Sequence, residues 1–280
     1  MNPYRITEPT CISFSGGRTS AFMLYKVLEA HDMKLPEDAI VCFANTGKED
    51  DATLKFVHDC ETNWNVKIHW LEYRDAEESK DRWTEVTYQT ASRNGEPFEA
   101  VIRKKQYLPN PVTRFCTIEM KIRTIANFLF AKGMCETRSE GEHMSWVGIR
   151  ADEPRRSAKI SRDRTPLVVA GVGKKDVGDF WKKQPFDLGL PNFNGVTYHG
   201  NCDLCFLKGE SQTRSLIAEK PERAIWWAKM EALALALASK PDGARFRKDR
   251  DSYQAMMDYA KDQMPMFDQA DDSIPCFCGD

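Results

Sequence analysis

Short apolar runs separated by polar turns organise the first half of this chain. Residues 39–44, Ala-Ile-Val-Cys-Phe-Ala, form a continuous apolar run, as a central parallel strand buried on both faces does. Residues 12–14 read as a shorter strand before it, and residues 66–71, Val-Lys-Ile-His-Trp-Leu, alternate as a third strand. Between them, residues 19–29 and 51–60 read as helices. Strand, helix, strand, helix, strand predicts an α/β fold with a doubly wound, mainly parallel sheet. Ligands of such sheets sit beyond the carboxyl ends of the strands, where Ser15 and Thr46 both fall.

The pattern weakens over residues 75–110, which are charged and irregular and read as an insertion or a lid. Residues 119–132 return to helical spacing, with Ile122, Ile125, Ala126 and Leu129 on one face. Ser145-Trp-Val-Gly-Ile149 predicts a further buried strand. Residues 176–183 read as a short helix, 222–239 as a long amphipathic helix and 251–263 as another. The face of Ala232, Leu235 and Ala236 suits core packing. The tail, Ile274-Pro-Cys-Phe-Cys-Gly-Asp280, has no period. This divides the chain into residues 1–210, a nucleotide-binding domain, and residues 211–280, a helical C-terminal extension with a cysteine-containing tail.

Chemistry enters at Cys11-Ile-Ser-Phe-Ser-Gly-Gly-Arg-Thr-Ser20, a strand, a glycine turn and a helix start. Such a turn aims backbone N–H groups at one spot over the positive end of a helix, which makes an anion site. The G-x-x-x-x-G-K-[ST] spacing of a Walker A loop is absent, as is the dinucleotide G-x-G-x-x-G. Taken alone, the turn is also compatible with an ordinary Ser/Gly connection.

Composition narrows the class. The charged fraction is 29% and the formal net charge −2, so any nucleic-acid contact needs a local basic patch. No apolar run approaches the ~20 residues that span a bilayer, and the first residues lack the apolar core of a signal peptide. A cytoplasmic protein without membrane contact is expected. Nine cysteines are many for that compartment, where thiols and metal ligands outnumber disulfides.

Ser15-Gly-Gly-Arg-Thr-Ser20 resembles the S-G-G-x-x-S loop of the PP-loop ATP pyrophosphatases, which grips the β,γ-pyrophosphate of ATP. The commonest family form has Lys-Asp where this chain has Arg18-Thr19. Thr46-Gly-Lys-Glu-Asp-Asp-Ala-Thr53 resembles the T-G-x-E-x-x-x-T segment of the PAPS reductase-like branch. Gly148-Ile-Arg-Ala-Asp-Glu-Pro-Arg-Arg-Ser157 is similar to a further element of that branch, G-x-R-x-x-E-x-x-x-R, with Arg156 standing one position short of the final arginine. The resemblance implies an adenine nucleotide alpha hydrolase-like sheet binding ATP and Mg²⁺. Ser13, Ser15, Gly16, Gly17, Arg18, Thr19, Ser20, Thr46 and Gly47 would hold the nucleotide. Arg18, Arg150, Arg156 and Glu49 would serve catalysis.

The branch also contains iron–sulfur enzymes. Cys116, Cys202 and Cys205 match three positions of their [4Fe–4S] ligand set, and Cys278 or Cys276 in the tail is the candidate fourth ligand. Structural zinc and a redox dithiol stay open for the same thiols. Cys11, Cys42, Cys60 and Cys135 read as core residues.

Sulfonucleotide reductases of this branch end in a tail with Glu before and His after the nucleophilic cysteine, and Pro275-Cys-Phe-Cys-Gly-Asp280 has neither. The expectation is therefore an ATP pyrophosphatase that adenylates a substrate and supports sulfur incorporation into nucleic acid, as in DNA phosphorothioation, with a cysteine desulfurase as candidate sulfur donor. Reduction of phosphoadenylylsulfate or adenylylsulfate is the first alternative, and an idle nucleotide-binding or zinc-stabilised subunit the second. Self-association as a homo-oligomer stays open.

Overall fold

A computed structural model describes residues 2–194, 196–237 and 244–262. Its centre is a five-stranded sheet in the order β4-β3-β2-β1-β5. The strands are β1 (Thr10–Ser13), β2 (Ala39–Asn45), β3 (Ile68–Glu72), β4 (Thr84–Val86) and β5 (Ser145–Val147). β1, β2, β3 and β5 run parallel, and β4 pairs antiparallel with β3 at one edge.

Both faces of the sheet are covered, so the apolar runs need no polar alternation. On one face Ile12, Val41, Phe43 and Trp70 pack against helices α1 (Arg18–Ala30) and α2 (Asp51–Asn63), in one core with Leu24, Val27 and Phe56. On the other, Cys11, Cys42, Ala44 and Leu71 meet Ile125, Phe128 and Leu129. An α/β sandwich with a mainly parallel sheet results. Its chain order reverses between β1 and β5, because the path runs outward through β2 and β3 before returning to the far side of β1.

Residues 75–110 are more ordered than their charge suggests. They contain β4 and helix α3 (Glu96–Lys105), which buries Phe98, Val101 and Ile102. Next comes a helical run over 115–131, formed by Phe115–Thr117, a π turn at Ile118–Arg123 and α4 (Thr124–Ala131). α5 (Arg138–His143) leads into β5, and α6 (Lys174–Trp181) packs back on α1, with Trp181 Nε1 donating to the Arg18 carbonyl at 2.9 Å. A two-stranded hairpin, β6 (Asn192–Phe193) and β7 (Val196–Thr197), follows.

A second core lies beyond the sheet. Phe98, Phe115 and Met120 share it with Leu204 and Phe206 and with helices α7 (Glu210–Glu219), α8 (Arg223–Leu237) and α9 (Tyr253–Asp262). Trp227 is its centre, fully buried, with the rings of Phe246 and Tyr253 at 5.0 and 5.3 Å. Its Nε1 donates to Asp203 Oδ1 at 2.8 Å. No helix among the described residues is long and apolar enough to cross a membrane.

Candidate functional site

The carboxyl ends of β1 and β5 flank the point where strand order reverses, and the Ser15–Ser20 loop lies there. Gly16 takes φ +81°, and a Cβ at that position would stand 2.7 Å from Thr53 Cγ2. Only glycine combines that backbone with that approach. Gly148, just after β5, comes equally close to the loop, since its Cβ would sit 2.8 Å from Ser20 Cα. The Ser20 hydroxyl accepts from the Ser15 N–H at 3.1 Å and donates to the Gly17 carbonyl at 3.0 Å. Ser15 Oγ lies 2.9 Å from it. α1 has Gly17 at its N-cap and no side-chain cap, which leaves first-turn N–H groups open to a ligand.

Two cavities meet this loop at different residues. One, of about 210 Å³, is lined by Arg18, Thr19, Arg150, Lys174, Lys182 and Asp187 among others. Arg150 Nη1 donates to Thr19 Oγ1 at 3.1 Å, and Arg150 Nε to Asp152 Oδ1 at 2.9 Å. Burial alone would raise the Asp152 carboxyl. The Lys174 N–H and the Arg150 guanidinium outweigh it and hold the group below its ordinary value. Glu153 accepts from the Arg150 N–H at 3.0 Å and also pairs with Arg156. Arg156 does not line this cavity. It is tied to Arg150 through Glu153.

The second cavity, of about 660 Å³, opens over the ends of β1, β2 and β5. Ser13 and Ser15 form one wall, and Ile118, Ile122 and Ile125 an apolar one. Lys121 and Lys159 add cationic groups. Its volume is in the range of pockets that enclose a nucleoside-sized ligand.

Thr46, Gly47 and Glu49 line neither cavity. The Gly47 N–H is taken by Asn45 Oδ1 at 3.1 Å. Glu49 Oε2 accepts from the Thr46 N–H at 2.9 Å and from the Thr46 hydroxyl at 2.7 Å. Its Oε1 is buried without a hydrogen bond, 3.8 Å from Lys121 Nζ. The segment is joined to the C-x-x-C by a backbone bridge between Glu49 and Cys202. The Asp203 N–H donates to the Lys48 carbonyl at 2.7 Å, and Thr46 Oγ1 stands 3.4 Å from Cys202 Sγ.

Cys202 and Cys205 are buried in the second core, and half-buried Cys116 packs against it. Among the described residues, no three His, Cys, Asp or Glu side chains form a group that could hold a metal ion. Cys276 and Cys278 lie outside the described residues. Cys11, Cys42 and Cys60 are buried, as their apolar runs predict, and burial pushes the Cys42 and Cys60 thiols up. Cys135 is only half-buried.

The structure brings together Ser13, Ser15, Arg18, Thr19 and Arg150, which sequence reading selected, with residues it missed. Lys121 precedes the recognised helical face by one position and carried a faint signal. Asp187 and Thr197 carried none, because they reach Arg18 across 169 and 179 residues of chain.

No family model and no solved structure matches this chain. Curated relatives do exist. An uncharacterized nin region protein of Escherichia phage lambda is 31% identical over 202 residues, 70% of this chain and 65% of its own length. An uncharacterized protein of Methanocaldococcus jannaschii is 28% identical over 149 residues, 53% of this chain and 24% of its own. The chain thus spans just under two thirds of the first relative and about a quarter of the second. Neither name carries an activity.

Proposed function

We propose that this chain is an ATP pyrophosphatase that binds ATP across the Ser15–Ser20 loop and adenylates a second substrate. The observation that carries this reading is the uncapped start of α1 between a small cationic cavity and a larger apolar-walled one. A nucleotide has the same division, an aromatic nucleoside at one end and a polyanion at the other. The nucleoside enters against Ile118, Ile122 and Ile125. The phosphates cross the first turn of α1, where open N–H groups and the Ser15 hydroxyl face them.

An oxygen of the second substrate attacks the α-phosphorus, the bond from that phosphorus to the bridging β-phosphate oxygen breaks, and pyrophosphate leaves. Arg150, fixed before the reaction by Thr19 and Asp152, stabilises with Lys174 the charge that builds on the leaving group. Mg²⁺ would be carried chiefly by the phosphates themselves, as it is at other nucleotide sites. The assay is AMP and pyrophosphate release from ATP and Mg²⁺, with candidate DNA and RNA acceptors. Arg150→Ala should lower kcat/KM by about 10- to 100-fold through loss of a charge-assisted contact. Equal activity in the variant, or no AMP from the wild type with any acceptor, counts against this function.

The finer reading is sulfur incorporation into nucleic acid, with DNA the favoured acceptor and an iron–sulfur cluster as cofactor. It is supported by the three thiols of Cys116, Cys202 and Cys205 in and against one core and by the bridge that carries Cys202 to the end of β2. Among the described residues these thiols alone do not form a metal-holding group. Iron, acid-labile sulfide and zinc on anaerobically purified protein, beside a Cys202→Ala/Cys205→Ala variant, decide the point. Iron and sulfide lost in the variant favour sulfur transfer. Zinc or no metal leaves adenylation without a cluster. Thioredoxin-dependent sulfite release would instead favour the sulfonucleotide reductase.

A further inference from the structure

Arg18 belongs to the phosphate loop by its backbone, yet its side chain is held by a distant segment. Nε donates to Asp187 Oδ1 and Nη2 to Asp187 Oδ2, each at 2.7 Å. Nη2 also reaches the Leu190 carbonyl and Nη1 the Thr197 hydroxyl, both at 3.3 Å. All three nitrogens of the guanidinium are thereby engaged by residues 187–197. The carboxylate meets the guanidinium as a planar two-oxygen fork, the geometry in which a phosphate also meets it.

The position of this pair matters more than its existence. Asp187 lines the 210 Å³ cavity beside Arg150, Lys174 and Lys182, so it places a negative charge inside the anion site itself. The Arg18 side chain is 12% exposed and that of Asp187 42%, so the carboxylate has water to withdraw into and the guanidinium does not. A phosphate entering the cavity faces a like charge close by and an arginine with four of its five N–H donors engaged. Polyanionic pyrophosphate carries more charge than one carboxylate and can displace it.

We propose that Asp187 is a resident counter-anion of the phosphate loop, which leaves Arg18 when phosphate enters and so sets the affinity of the loop for its ligand. This rests on the phosphate-loop reading above. Asp187→Asn keeps the size and one acceptor while removing the charge.

The experiment titrates inorganic pyrophosphate into the full chain by calorimetry at low and moderate salt. Asp187→Asn is expected to bind about three- to tenfold more tightly than wild type, with a steeper salt dependence. Binding by both proteins with equal or weaker affinity in the variant overturns the proposal, and makes Asp187 a residue that only positions Arg18. Absence of pyrophosphate binding in wild type sinks the phosphate-loop reading and the proposal with it. A second measurement does not depend on the variant folding. The Arg18 Nε–H resonance of the wild type, assigned with Arg18→Lys, is followed during the titration. It is expected to shift as its partner changes. A resonance that stays in place while pyrophosphate binds overturns the displacement.

Discussion

Gly16 is where a single methyl group tests the loop. Its φ of +81° and the 2.7 Å approach to Thr53 act together, so Gly16→Ala meets both backbone strain and a collision. The expected cost is about 1–3 kcal/mol in chemical denaturation. An unchanged midpoint would mean that the turn relaxes freely and is not a rigid cradle. Asp152 offers a test by pH. Its folded pKa lies below the ordinary value near 3.8, so its stabilising effect is complete above that value. The effect is lost as pH falls through the lower folded pKa. Melting temperatures of wild type and Asp152→Asn should therefore differ near neutrality and converge in strong acid. A constant difference down to about pH 2 would separate the effect from the titration of Asp152.

At the scale of elements, the second core depends on α8. Trp227→Ala removes a fully buried indole that also donates to Asp203, at an expected cost of about 3–5 kcal/mol. Because Asp203 follows Cys202, amide exchange in residues 202–205 should quicken more than in β1. Equal change in both would indicate only general loss of stability. The parallel strands were legible because their apolar runs are short and bounded by turns. α3 was not. Phe98, Val101 and Ile102 have helical spacing, but Arg103-Lys-Lys105 directly after them masks so short a stripe. The Ser15–Ser20 loop and Arg150 were legible from local chemistry. The inward turn of Thr46 and Gly47 was not, since it depends on Asn45 and on Cys202, far along the chain. The ion pair of Arg18 with Asp187 has no periodic trace either, and such pairs are visible only after folding.

Across the whole molecule, a formal charge of −2 conceals a local cluster of cations. Arg18, Arg150, Lys174 and Lys182 line the α1 cavity, with Asp187, Asp152 and Asp179 paired against three of them, so the attraction felt by an anion is local and short-ranged. The two cores are not joined merely by chain connectivity. The Glu49–Cys202 bridge and the Lys48–Asp203 contacts stitch the end of β2 to a segment more than 150 residues later. That stitch limits how such a protein can be recombined. A chimera taking its front half from one relative and its back half from another would have to agree at these four positions. Surface loops could differ widely, but a mismatch at the stitch would separate the carboxyl end of β2 from the thiols packed beside it.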